Sequence, residues 1–400
     1  MRTALQVTVG GIVLMMLLAS SVSRSSAAEW SAEPSMTVRG DYNSNLLLLP
    51  GSRESVWGIW LSPGTKFAGS TENLQVSGRV AADFVKYFGE TDRALTNLYF
   101  PLSVQYMTER ETFGFDGGFT RDNTLMGEAI QTGVVVGFTQ RNLLTLGPSW
   151  THALTERLST QVSYQYANAT YEDGFRLGLV NYTTQGGSGG LLYQLTEADR
   201  VNLSVSYTNF NAPQANDLVS EIYSAQLSLA HNFTETLTGT ITGGPNLVHA
   251  TINAGGPLLS SQSTLFVGSA NLKKSWEDAS VMFDLGRQIY PSGFGLLVQT
   301  DRVGVTVAKD FNEQWSTSLS AFALFASAIS TEASLIRNFQ DSRYVNITPR
   351  VTWKFSQWGQ VDFMYSYVNR HVDIVGFADA FANIASVMLT YTPPKLSVGR

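Results

Sequence analysis

The 400-residue chain has no cysteine, so it holds no disulfide framework and no lipid-carrying cysteine. Charge is also scarce. Asp, Glu, Lys and Arg make up 14% of the residues, where a soluble domain carries about 25%. Beyond the amino-terminal segment no apolar run is long enough for a membrane helix. The sequence contains no His-Glu-x-x-His, no cysteine pair and no dense carboxylate cluster, so neither a metal nor a cofactor is expected. A net charge of −6 is mild and argues against nucleic acid as a partner.

At the amino end, Met1-Arg2 leads into the apolar run Val7–Ala19, then Ser25-Ser26-Ala27-Ala28 before Glu29-Trp30. A charged start, an apolar stretch too short to span and a small-residue site describe a secretory signal peptide. Cleavage is expected after Ala28, leaving residues 29–400 as a single barrel domain.

Period-two alternation fills the rest. In Val201–Phe210, the side chains of Val201, Leu203, Val205 and Tyr207 fall on one face and Asn202, Ser204, Ser206 and Thr208 on the other. Alternation of this kind marks a strand, because successive side chains point to opposite faces. The hairpin within Pro148–Tyr171 turns at Leu154-Thr155-Glu156-Arg157, and that turn recurs. Copies stand at Thr71-Glu72, Thr108-Glu109, Thr196-Glu197, Thr234-Glu235, Asn312-Glu313 and Ser356-Gln357, with Trp276-Glu277-Asp278 filling one gap. A spacing of about 35–47 residues makes the chain a series of hairpins.

A low-charge exported chain of half-apolar strands fits a closed barrel in a membrane, where every backbone group must be paired internally. The expected fold is therefore an all-β transmembrane antiparallel β-barrel of about 18 strands (16–18), an even number. Short periplasmic turns should alternate with longer extracellular loops, among them Asp122–Gln131, Asn253–Gln262, Ser327–Ser342 and Val372–Ala382. Val134–Ala153 is expected to be one long strand, and Glu172–Val180 to cross before the return strand Tyr182–Gln194. That return strand carries Gly186, Gly187, Gly189 and Gly190, which permit close backbone approach; a phosphate-cradling loop would need a Lys and a following helix. Tyr106, Trp150, Tyr171, Phe233, Trp276, Trp315, Trp353, Trp358 and Tyr391 lie near strand ends, as interfacial girdles do.

Charges at polar-parity positions should point into the lumen, since one facing mid-bilayer lipid costs roughly 2–4 kcal/mol for Arg or Lys. Arg79, Asp83, Arg141, Asp284, Arg302, Arg350, Lys354 and Asp362 are the lumen-facing pore candidates. They describe either a solute path of mixed charge or a salt-bridged filling. His152 and His231 fall near the short turns, and His249 and His371 near long loops. A lipid-hydrolysing barrel needs a Ser–His pair on one membrane-facing ridge. Serines are too common here to single one out, so no catalytic residue is assigned and an enzyme is the least favoured reading.

The segment Asp41-Tyr42-Asn43-Ser44-Asn45, the Pro148-Ser149-Trp150 hairpin, Val180-Asn181-Tyr182 and the ending Val387-Met388-Leu389-Thr390-Tyr391-Thr392-Pro393-Pro394 resemble an outer-membrane β-barrel porin family associated with exopolysaccharide biosynthesis loci. The resemblance covers essentially the whole mature chain and rests on loose, structural motifs. It implies a barrel in the outer membrane of a Gram-negative bacterium, passively passing solutes, with a link to exopolysaccharide export. A non-conducting structural or assembly barrel is the alternative. Expected partners are outer-membrane lipid and lipopolysaccharide, the barrel assembly machinery and polysaccharide. The family offers no catalytic residues to carry over. Unlike the commoner barrel ending on an aromatic residue, this chain continues past Tyr391 with Thr392–Arg400.

Overall fold

A computed structural model describes residues 29–51, 54–89, 92–128, 137–253, 258–329, 341–372 and 379–399. The expected signal peptide lies outside them.

The strands follow one another as β1 (Glu29–Asn43), β2 (Val56–Ser70), β3 (Leu74–Phe88), β4 (Arg93–Met107) and β5 (Glu111–Asn123). After the short helix α1 (Thr124–Gly127) come β6 (Gln140–Ala153), β7 (Leu158–Tyr171), β8 (Tyr182–Gln194), β9 (Asp199–Ala212) and β10 (Leu218–Thr234). The series continues with β11 (Leu237–Ile252), β12 (Leu259–Ser275), β13 (Ala279–Ser292), β14 (Leu296–Asp310) and β15 (Trp315–Ala328). It ends with β16 (Ser342–Ser356), β17 (Gly359–Val372), β18 (Ala380–Tyr391) and the short β19 (Leu396–Gly399). From β1 to β18 each strand pairs antiparallel with its neighbours in sequence, and β1 closes the ring against β18 and β19. Those last two lie end to end along β1, Met36–Asn43 facing Ile384–Tyr391 and Glu29–Ala32 facing Leu396–Gly399. Pro393-Pro394, which cannot donate a ladder bond, separates them. The wall is therefore an all-β closed antiparallel barrel of 18 strands.

The alternation read in the sequence sets the two faces. Leu203 and Val205 are exposed on the outer surface, 51% and 59%. They meet Leu191 and Gly189 on β8 and Leu227 and Ala225 on β10. Gly186 has a packing reason: a Cβ there would stand 2.4 Å from the Tyr207 carbonyl oxygen, so only glycine lets β8 approach β9 this closely. The segment is strand throughout.

The recurrent turns owe their shape to one atom. Thr71, Thr108, Thr155 and Thr196 each accept, on the side-chain oxygen, the backbone N–H three residues on. Asn312 does the same for Trp315, and Ser356 accepts from Trp358. These hydroxyl and amide turns fix a tight reversal.

Several connections differ from expectation. Of the strand expected over Val134–Ala153, residues 134–136 lie outside the described residues, and β6 begins at Gln140; the Thr124 N–H donates to the Thr139 carbonyl and the Thr139 N–H to the Thr124 hydroxyl, which draws this connection inward. Glu172–Val180 is no crossing strand but a connection with a 3-10 turn over Gly174–Leu177, pinned where Asn181 accepts from the Tyr171 N–H. The expected loop Asn253–Gln262 already contains the start of β12 at Leu259. Tyr171, expected in a girdle, is buried inside instead. The other girdle aromatics flank the short turns, and Trp315 stacks on Trp353 with ring centroids 5.8 Å apart.

Candidate functional site: the lumen and its outer constriction

Strand register turns each of the eight candidate charges inward. Arg79 and Asp83 share the face of the buried Ala81, Val85 and Tyr87 on β3. Asp83 stands across from the buried Asn97 on β4. Arg302 reaches Asp284 on the adjoining strand at 3.1 Å and lies over the Phe322 ring, 4.3 Å from its centroid. Arg350 holds Asp362 at 2.8 Å, and Asp362 also accepts from Thr352 and Gln360. Lys354 is exposed at the end of β16, opposite Gln360. These groups divide by role: Arg302–Asp284 and Arg350–Asp362 are pairs along the wall, whereas Arg79 and Lys354 stand accessible.

Arg141 is different. It is buried, and its guanidinium grips Asp122 with bonds of 3.0 and 2.7 Å. The same guanidinium lies 3.8 Å from Glu128, at the end of α1. Tyr171 O–H donates to one Glu128 oxygen, and the Gly293 N–H to the other at 3.3 Å. Glu128 thus ties together the β5–β6 connection, the end of β7 and the β13–β14 connection. Burial pushes its carboxyl above the ordinary carboxylate range; the Tyr171 bond and the Arg141 charge oppose that without overcoming it.

Around this polar knot the inner face turns apolar. Phe210, Leu218, Val248, Ile252, Leu296 and Val298 are fully buried at the end of the barrel away from the short turns. Leu179 and Ile329 pack on them from the connections. On the opposite wall, Trp60, Val85 and Tyr87 form a second cluster with Leu46 from the β1–β2 connection. Arg39 lies over the Trp60 ring there, 3.6 Å from its centroid. The lumen is constricted at this end by packed side chains. Toward the short turns it widens into a cavity of about 770 Å³ bordered by Lys66, Ser77, Asp116 and Lys395.

Sequence parity alone could have added Lys66, five residues past Leu61 in the outward series Trp57, Ile59, Leu61 and so on the opposite face. It stands directly across from Glu33 on one side and Arg79 on the other. Glu128 had no such signal, because it sits in a connection where no period applies. The histidines all face carboxylates: His152 meets Glu111 at 2.6 Å, His231 meets Asp199 at 2.6 Å, His249 lies opposite Glu221, and His371 pairs with Asp379.

No protein-family model and no curated protein matches the chain. Among solved structures, it is similar to Acinetobacter baumannii OccAB4 over 93% of this chain and 99% of that one, at 8% identity and a TM-score of 0.48. Pseudomonas aeruginosa OccK5 (OpdH) is similar over 92% and 98%, at 10% identity and a TM-score of 0.44. Pseudomonas aeruginosa OccK7 (OpdD) is similar over 93% and 99%, at 8% identity and a TM-score of 0.46. None of these matches links the chain to exopolysaccharide loci.

Proposed function

We propose that the protein is an outer-membrane channel that passes polar solutes passively through its lumen. The observation that carries this is the pairing of a closed ring with two opposite faces. Outside, apolar side chains cover the strands; inside, Ser, Thr, Asn and Gln line most of the wall, with isolated charges such as Arg79 and Lys354. At about 16–18 strands a barrel interior holds an aqueous path, and the outward apolar surface has a cheap place only in lipid. The Ser, Thr and Gln wall of β7–β11 supports polysaccharide fragments as a candidate solute.

A second reading, a structural barrel that conducts nothing, is supported by the apolar packing across the outer end. Conductance of the purified protein in a planar bilayer separates the two. Steps of current that shift ion preference when Arg79 is replaced by Glu support the channel; a silent bilayer containing folded protein leaves the structural barrel.

A further inference from the structure

The larger cavity does not end the open part of the lumen. A second chamber of about 390 Å³ adjoins it below the outer constriction, and Gln165 and Thr184 border both. Its size falls within the ~300–1,000 Å³ of ligand pockets. The chamber lies where β12 and β13 part: their ladder runs from Ser275↔Ser280 only as far as Gly268↔Arg287, and Ser269 and Gln288 border the space behind.

Two features of the lining decide what fits. Thr184, Ser224, Gln226 and Ser269 border the chamber, and among the described residues none of these side chains is engaged by a hydrogen bond within the protein. Asn246 adds a buried acceptor: it is 6% exposed, and its carboxamide oxygen has no hydrogen-bond partner. Leaving such an oxygen unmet is costly, and Ser224 stands directly opposite Asn246 on β10. On the side of the constriction the lining turns apolar, with Ile222 and Leu297. Free charge is missing. Among the described residues Arg287 is the one charged group on the border, and Asp301 holds its guanidinium at 2.6 and 2.9 Å. An ion would shed water here with no countercharge in exchange. A neutral pyranose suits both sides. Its hydroxyl rim meets the unengaged Ser, Thr and Gln groups, and its C–H face meets Ile222 and Leu297, where water gains nothing.

We propose that this chamber is a binding subsite for a neutral oligosaccharide. One sugar unit lodges among Thr184, Ser224, Gln226 and Ser269, and the rest of the chain runs past Gln165 into the larger cavity. A hydroxyl placed between Ser224 and Asn246 satisfies the Asn246 oxygen once the carboxamide turns about its last side-chain bond. The inference rests on the channel reading, since the sugar reaches the chamber through the lumen, and it narrows the solute to chains without charge.

The full chain is purified in a detergent without a sugar head and titrated by calorimetry with maltotriose, cellotriose, mannotriose, galactotriose and the charged trigalacturonate. At least one neutral trisaccharide should bind at millimolar concentration or below, and trigalacturonate should bind more weakly than the best of them. Asn246→Leu and Gln226→Leu should each weaken that binding about fivefold, the worth of one hydrogen bond. Asn246→Leu should also fold as well as wild type, because an apolar group replaces an unmet acceptor. Failure of every neutral trisaccharide to bind overturns the subsite, and so does binding that neither variant weakens. Trigalacturonate bound as tightly as the best neutral sugar overturns the selection against charge, and the proposal with it. Calorimetry reads no current, so the two readings part cleanly. A barrel that conducts in a bilayer yet binds no neutral sugar keeps the channel and loses the subsite. One that binds sugar through Asn246 yet stays silent keeps the subsite and loses the channel.

Discussion

Arg141 is where a single side chain decides most. One guanidinium serves two buried carboxylates, Asp122 by two bonds and Glu128 at longer range. Gly127 makes room for it: a Cβ there would fall 2.3 Å from the guanidinium carbon. Removing one partner of a buried pair leaves the other charge stranded, at about 3–5 kcal/mol, whereas replacing both with apolar groups is often neutral. Arg141→Met should therefore lower the urea midpoint strongly, and adding Asp122→Leu should recover most of the loss. If the double variant is worse than the single, the pair is not what holds the constriction. Glu128 adds a pH dependence whose sign is set by its raised carboxyl. A group protonated more readily when folded contributes stability that is fully present below its unfolded value of about 4.5, and that is lost as pH rises through the folded value. Wild type should thus lose stability relative to Glu128→Gln as pH rises above about 4.5. Parallel urea midpoints over that range would sink the assignment.

At the scale of an element, the hairpin turns separate shape from decoration. In the Leu195–Asp199 turn, Thr196 accepts from the backbone of Ala198 and Asp199, while Glu197 makes no part of this frame. Thr196→Ala should cost about 0.5–1.5 kcal/mol, the usual worth of one such bond, and Glu197→Ala close to nothing. Equal losses in thermal unfolding would show that the Glu, the more regular letter of the repeat, carries the turn after all. The turns were legible in sequence because hydroxyl turns are local. Strand centres were legible for a related reason: Leu203 faces lipid-like surface and Ser204 the lumen, so polarity alternates. Strand outer ends were not. At Phe210 and Ala212 on β9, and at Val248, Ala250 and Ile252 on β11, the inward side chains become apolar because they pack against the constriction. Alternation fades there, and strands read as ending early. The parting of β12 from β13 left no trace either, since a missing ladder alters no residue's face.

Taken whole, the barrel has two ends of different character and two faces of opposite polarity, and each asymmetry can be tested. The connection carrying Phe175, 94% exposed, is expected on the extracellular side. A maleimide should label Phe175→Cys on intact cells but not Glu197→Cys; the reverse pattern would invert the orientation. The faces yield the sharper test. Lys66 and Arg79 stand directly opposite each other on the inner wall, and like charges so placed repel. Arg79→Glu converts that opposition into a pair, so the variant should fold at least as well as wild type. It should also move the reversal potential in a salt gradient toward cation preference. Arg350 is a poorer site for this reversal, because its Asp362 partner is fully buried and would be left unpaired. Lys354, exposed and opposite Gln360, is a better second position. On the outer surface the same kind of change has the opposite consequence: Val205→Arg puts a cation against lipid at roughly 2–4 kcal/mol and should impair insertion. If Val205→Arg inserts normally while Arg79→Glu does not, the two faces are exchanged and the membrane reading loses its basis. If Arg79→Glu folds and neither it nor wild type passes current, the barrel stands and the channel does not.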